Sequence, residues 1–164
     1  MDKRFNIIMM LFAGLLILVG CEKMSSADLQ GSWVPVYASG SSEDERYIST
    51  FDGPIDEKGY ITVIQASKTD PEVKFEASII FPGIRFFQED GKDVFVIFNC
   101  GSPSNEIGVP LMYKIRNGRI YRELPEAITN NSFEEGSGEF DTGASILFIG
   151  DGQIKIGYVT YNKF

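Results

Sequence analysis

Histidine is absent from this chain of 164 residues, and with it go the commonest general base, proton shuttle and metal ligand. Triads, zinc centres and haem sites lose their usual parts. Cysteine is scarce as well: Cys21 and Cys100 are too few for a disulfide framework, and tryptophan occurs once, at Trp33. Basic side chains are outnumbered, 15 against 23 acidic, and a net charge of −8 disfavours nucleic acid and anionic membrane surfaces as partners, since both reward clustered Lys and Arg. There is no glycine-rich phosphate loop, no Gly-x-Ser-x-Gly elbow and no metal-spaced cysteine cluster. Glu43-Asp44-Glu45 and Glu89-Asp90 lack the alternating oxygen ligands and terminal Glu of a calcium loop, so they read as solvated loop charge. Many carboxylate pairs could be drawn for glycoside hydrolysis, but only three-dimensional spacing would select one. No metal, no cofactor and no enzymatic activity is expected. What is present is 43% hydrophobic and 13% aromatic residues, enough to fill the core of one globular domain.

The N-terminus has the layout of a signal peptide. Lys3 and Arg4 precede an apolar run from Ile7 to Gly20 that is shorter than the roughly 20 residues a membrane-spanning helix needs. The run ends in Leu18-Val19-Gly20-Cys21, which resembles the lipobox of bacterial lipoproteins. That resemblance implies a diacylglyceryl group on the Cys21 sulfur, cleavage before it, and a chain held by membrane lipid in the bacterial cell envelope, at the outer membrane. The organisation that follows is signal peptide 1–20, tether 21–28 and folded domain 29–164. Losing residues 1–20 removes two basic and one acidic side chain, so the mature domain is more acidic still. With Cys21 acylated, Cys100 has no disulfide partner and reads as a small buried hydrophobe.

Beyond the tether nearly every segment reads as strand. Val73, Phe75, Ala77 and Ile79 alternate with polar residues at period two, and further strands are predicted over 32–37, 46–51, 59–65, 84–89, 94–99, 111–116, 119–124, 145–149 and 154–161. Three two-residue turns set register. Asn117-Gly118 pairs Ile115 with Ile120, Tyr113 with Arg122 and Leu111 with Leu124 on the core face. Asp90-Gly91 pairs Phe86 with Phe95 and Ile84 with Ile97 in a hairpin apolar on both faces, which another segment either covers or leaves as a patch. Asp151-Gly152 predicts Ile149 opposite Ile154 and Leu147 opposite Ile156, with Phe148 outward. The stretches 99–110 and 125–144 are predicted as loops, the latter acidic and without a basic residue. Successive hairpins favour a meander closed on itself, so the expected fold is all-β, an antiparallel up-and-down barrel of eight to ten strands.

Gly31-Ser32-Trp33, placed after the tether at the start of the first strand, resembles the Gly-x-Trp opening of lipocalins and of the lipocalin-like lipoproteins of Gram-negative bacteria, and the run 152–163 is similar to the last strand of those domains. The resemblance implies that Trp33 plugs the closed end of a barrel holding an apolar ligand. No arginine stands near the C-terminus to lie across the tryptophan, which leaves Lys163, and Pro35 predicts a bulged or edge-like first strand. The inward position of Arg122 opposite Tyr113 adds a chemical detail, because a buried guanidinium must find a carboxylate, snorkel, or await an anionic ligand. A fatty-acid-like carboxylate would suit Arg122 and Tyr113, with Phe75, Ile115 and Tyr158 as walls. The competing expectation is a filled barrel that acts as a structural or protein-interaction module of the envelope.

Overall fold

The computed structural model describes residues 24–123, 139–150 and 152–164. Cys21 and the residues before it, Leu124, the acidic stretch 125–138 and Asp151 lie outside them. One short helix, α1 (Ser26–Leu29), precedes eleven strands: β1 (Gly31–Glu43), β2 (Tyr47–Pro54), β3 (Tyr60–Ser67), β4 (Lys74–Ile80), β5 (Gly83–Glu89), β6 (Lys92–Phe98), β7 (Glu106–Arg116), β8 (Arg119–Glu123), β9 (Glu139–Gly150), β10 (Gln153–Ile156) and β11 (Val159–Lys163). Part of the expected tether is thus helical. The Ser25 amide and hydroxyl both donate to the Asp28 carboxylate at 2.8 Å, which starts the turn that delivers Leu29 into the core.

Every pairing is antiparallel, and eight strands close into a ring in the order β1, β5, β6, β7, β8, β9, β10, β11 and back to β1. The chain is an all-β, barrel-like fold. The strand that makes closure possible is β1, which is long enough to serve three neighbours. On one edge its residues 31–33 pair with β5 and its residues 37–43 with β2; on the other edge 33–38 pair with β11. The bend between these tasks falls at Pro35. The β11 register shifts between Pro35 and Tyr37, and the extra residue, Val36, turns its carbonyl to the Ile55 amide at 3.0 Å, a bulge where proline has no amide to give the ladder. The meander therefore breaks once. β4 does not pair with β5; instead β2, β3 and β4 extend from β1 as a flap, leaving β4 as an edge where a fully closed meander would have none.

Two of the three turns hold the predicted register. Asp90-Gly91 and Asn117-Gly118 have positive φ at both residues (50° and 73°, 50° and 70°), the conformation that matches strand twist. Phe86 faces Phe95, Ile84 faces Ile97, Tyr113 faces Arg122 and Ile115 faces Ile120. The third differs by one residue. Gly150 pairs with Gln153, but Ile154 then faces Phe148 and Ile156 faces Ile146, so Ile149 is bulged out. Gly150 at φ +102° permits the bulge, and its effect is to send Ile146 into the core while Leu147 and Ile149, expected inside, are exposed. The predicted strand 154–161 is likewise two strands, split by a turn at Gly157 (φ +59°) and Tyr158. Residues 106–110 and 139–144 are strand rather than loop.

The core lies inside the ring and continues under the flap: Leu29, Trp33, Phe51, Ile61, Val63, Phe86, Tyr113, Ile120, Ile146, Ile154 and Tyr161 form one buried cluster. The outer side of the β5–β6 hairpin is also buried, at Val94, Val96 and Phe98. Arg85 helps to cover it. Its guanidinium stacks 5.9 Å over the Phe98 ring and donates to Ser32 Oγ (3.2 Å), Glu106 Oε1 (2.8 Å) and the Pro103 carbonyl (3.0 Å).

Candidate functional site

Tyr113 and Arg122 meet because a two-residue turn puts them at an even count from it. In such a hairpin the pair flanking the turn, Arg116 and Arg119, exchanges hydrogen bonds, and pairs alternate from there. Tyr113 and Arg122 fall on a pair without backbone hydrogen bonds, where opposed side chains stand closest. Lys114 and Glu123 point to the other face, where they form an ion pair.

The inner face around Tyr113 is aromatic. Its ring is 1% exposed and packs edge-on against Phe86 at 5.2 Å and Phe95 at 6.0 Å, with those two rings 6.0 Å apart. Burial, and then the negative charge of Asp93, push the Tyr113 phenol well above its ordinary value, so it keeps its proton at every physiological pH. Asp93 is itself engaged, accepting from Gln88 Nε2 at 3.1 Å. Two donors are left over. The Tyr113 hydroxyl and the Arg122 Nε are both buried and neither has a hydrogen-bond partner. Unmet buried donors are uncommon because each forfeits its hydration without return, at about 1 to 3 kcal/mol. A proton-bearing phenol and a permanently charged guanidinium on facing positions of one cross-strand pair can together hold one anionic oxygen group.

Of the other expected wall residues, Ile115 is half-buried against the same core, next to Ile120. Phe75 and Tyr158 are not brought to this place. Phe75 lies on the edge strand β4, 40% exposed and edge-on to Tyr47 at 5.1 Å, because β4 belongs to the flap and not to the ring. Tyr158 is in the β10–β11 turn, 56% exposed, with its ring against Phe51 at 6.1 Å. Phe86, Phe95 and Asp93 are the neighbours that sequence reasoning did not assign to the site, although extending the Asp90-Gly91 register two pairs outward already aligns Gln88 with Asp93.

Comparison with protein-family models, curated proteins and solved structures finds no match. At the end of the ring where β1 begins, Trp33 is fully buried, its indole Nε1 donates to the Leu29 carbonyl at 2.7 Å, and Lys163 Nζ lies 5.4 Å over its ring. The Asp90-Gly91 and Asn117-Gly118 turns and the C-terminus are at this same end, as the alternating strand directions require. Helix, tryptophan and lysine lie together there. Outside, two adjoining open grooves of about 620 and 310 Å³ run across the flap, the larger lined by Ser39, Ser41, Thr50, Asp52, Thr62 and Ile64. Among the described residues no group of three His, Cys, Asp or Glu side chains is arranged to hold a metal ion.

Proposed function

We propose that the chain is a lipoprotein of the bacterial cell envelope, anchored at the outer membrane through an acylated Cys21, whose lipocalin-like ring binds a small apolar molecule with an anionic head. The single observation that carries the binding reading is the pair of buried, unpartnered donors on Tyr113 and Arg122. Phe86, Phe95 and Ile115 supply apolar surface beside them. The buried Trp33 with Lys163 over its ring is in keeping with a plugged end of the lipocalin type, Lys163 standing in for the missing arginine. The alternative is a filled ring serving as an interaction module, favoured by the large buried side chains of Trp33, Phe86 and Tyr113 in one cluster.

A fluorescent long-chain carboxylate titrated into wild type, Arg122→Met and Tyr113→Phe separates the two. Removing the charge-assisted bond should weaken binding by roughly 1.5 to 3 kcal/mol in the arginine variant, and removing the phenol by roughly 0.5 to 1.5 kcal/mol. Equal affinity in all three, or no binding to wild type, leaves the filled ring as the better account. Intact mass of protein from the membrane fraction tests the anchor: acyl chains on a chain beginning at Cys21 are expected, and an unmodified N-terminus rules the anchor out.

A further inference from the structure

A strand edge is left open at β4, and its chemistry is self-complementary. Along β3 and β4, the Ser67 amide donates to the Val73 carbonyl at 3.0 Å and the Phe81 amide to the Gly59 carbonyl at 2.7 Å, which fixes the odd-numbered residues of this pairing as those bonded to β3. The amides and carbonyls of Lys74, Glu76, Ser78 and Ile80 therefore point the other way, and among the described residues no strand meets them. Apart from the charged side chains of Lys74 and Glu76, the devices that blunt a natural edge are missing within β4: it is seven residues long, with no proline and no bulge. Its inner-face residues lose cover toward the outer end, with Val73 50% and Phe75 40% exposed, whereas Ala77 and Ile79 pack on the core. Lys74 and Glu76, neighbours on the outer face, are in no salt bridge among the described residues.

We propose that β4 pairs antiparallel with β4 of a second copy of this chain, about a two-fold axis through Phe75. That register places Lys74 of each copy opposite Glu76 of the other, giving two ion pairs on the outer face. Even-numbered residues face even-numbered ones, so the outward amides and carbonyls of Lys74 and Glu76 find each other as hydrogen-bonded pairs. Phe75 meets Phe75 on the axis at a position without backbone hydrogen bonds, where side chains approach most closely, and Val73 is covered by Ala77 of the second copy. Registers centred on Glu76 or Ala77 are disfavoured by charge: the first sets Glu76 against Glu76, and the second, though it overlaps all seven residues of β4, pairs Lys74 with Ile80 and Glu76 with Ser78, so that neither charge meets its opposite. A joined sheet of two flaps results, with no ligand required.

The test is native mass spectrometry of the full lipidated protein released from detergent. Wild type is expected as a dimer at micromolar concentration. Glu76→Lys and Lys74→Glu each turn both ion pairs into repulsions and should weaken the dimer roughly tenfold or more. Mixing these two variants should give a heterodimer, and the double swap should restore the homodimer. Glu76→Pro removes an amide that points to the open edge and in this register bonds Lys74 of the second copy, without touching the β3 ladder, so it should yield a folded monomer, with strand content checked by circular dichroism. A monomeric wild type overturns the proposal. So does a dimer that Glu76→Lys leaves unchanged, or variants that fail to pair when mixed.

Discussion

Single side chains do several jobs at once here, and the cost of changing one depends on whether its neighbours can move. Gly83 and Gly40 make the point. A methyl group built on Gly83 would lie 2.4 Å from the Phe98 ring, and one on Gly40 would lie 2.7 Å from the Tyr158 ring. Phe98 is wholly buried beneath Arg85, so its ring has nowhere to go, whereas Tyr158 is half in solvent and can swing aside. Gly83→Ala should therefore cost about 2 to 3 kcal/mol or more and Gly40→Ala less than about 1 kcal/mol, read from urea unfolding midpoints at constant slope. Arg85 itself was invisible in the sequence. Nothing in the alternation of residues 84–89 says that its guanidinium will gather Ser32, Glu106 and the Pro103 carbonyl, because those partners come from two segments distant in sequence, the start of β1 and the β6–β7 connection into β7. Arg122 was legible by contrast, since its partner Tyr113 is reached by counting across one turn.

At the level of elements, what could be read was what is local. The Asn117-Gly118 and Asp90-Gly91 turns carry their own conformational requirement, and once a two-residue turn is granted, register and faces follow by parity. The energetic counterpart is that Gly118 at φ +70° should resist substitution. Gly118→Ala is expected to destabilise by about 1 kcal/mol, while Gly53→Ala, where φ is not positive and nothing lies within 4 Å of the added carbon, should be within about 0.5 kcal/mol of wild type or slightly stabilising. Equal losses at both sites would mean that the turn conformation does not set the cost. The third hairpin escaped the same logic because one bulged residue, Ile149, reverses the parity of everything before it. Runs such as 145–149 are apolar on both faces, so the sequence pattern could not signal which half would turn inward; the tertiary need for Ile146 against Ile120 and Ile154 decided it. The split at Gly157-Tyr158 was hidden for a related reason: Ile156 and Val159 continue a strand-like pattern across a turn that only the neighbouring strands reveal.

For the molecule as a whole, closure of eight strands around one buried cluster ties its alkaline stability to two phenols inside it. All-β class, hairpin succession and the bulge at Pro35 were readable from composition and turn chemistry, but the branching of β1 between β5, β11 and β2 was not, since only long-range pairing distributes one strand among three neighbours. That closure buries Tyr113 and Tyr161, and desolvation, assisted by Asp93 at the first and by Cys100 at the second, raises both phenols well above their ordinary value. In the unfolded chain they ionise near pH 10. The folded state thus holds more protons than the unfolded state once the pH passes that value, and stability must fall as pH rises, by about 1.4 kcal/mol per pH unit for each tyrosine. Below about pH 9 both states carry the same protons at these groups and their contribution is constant. Tyr113→Phe removes one of the two. Urea titrations from pH 8 to 11.5 should show the stability difference between wild type and Tyr113→Phe unchanged up to about pH 9.5, then drifting against wild type with a slope near one proton. Parallel curves to pH 11.5 would mean that the Tyr113 hydroxyl reaches water in solution, and would remove the burial on which its role as an unpartnered donor rests.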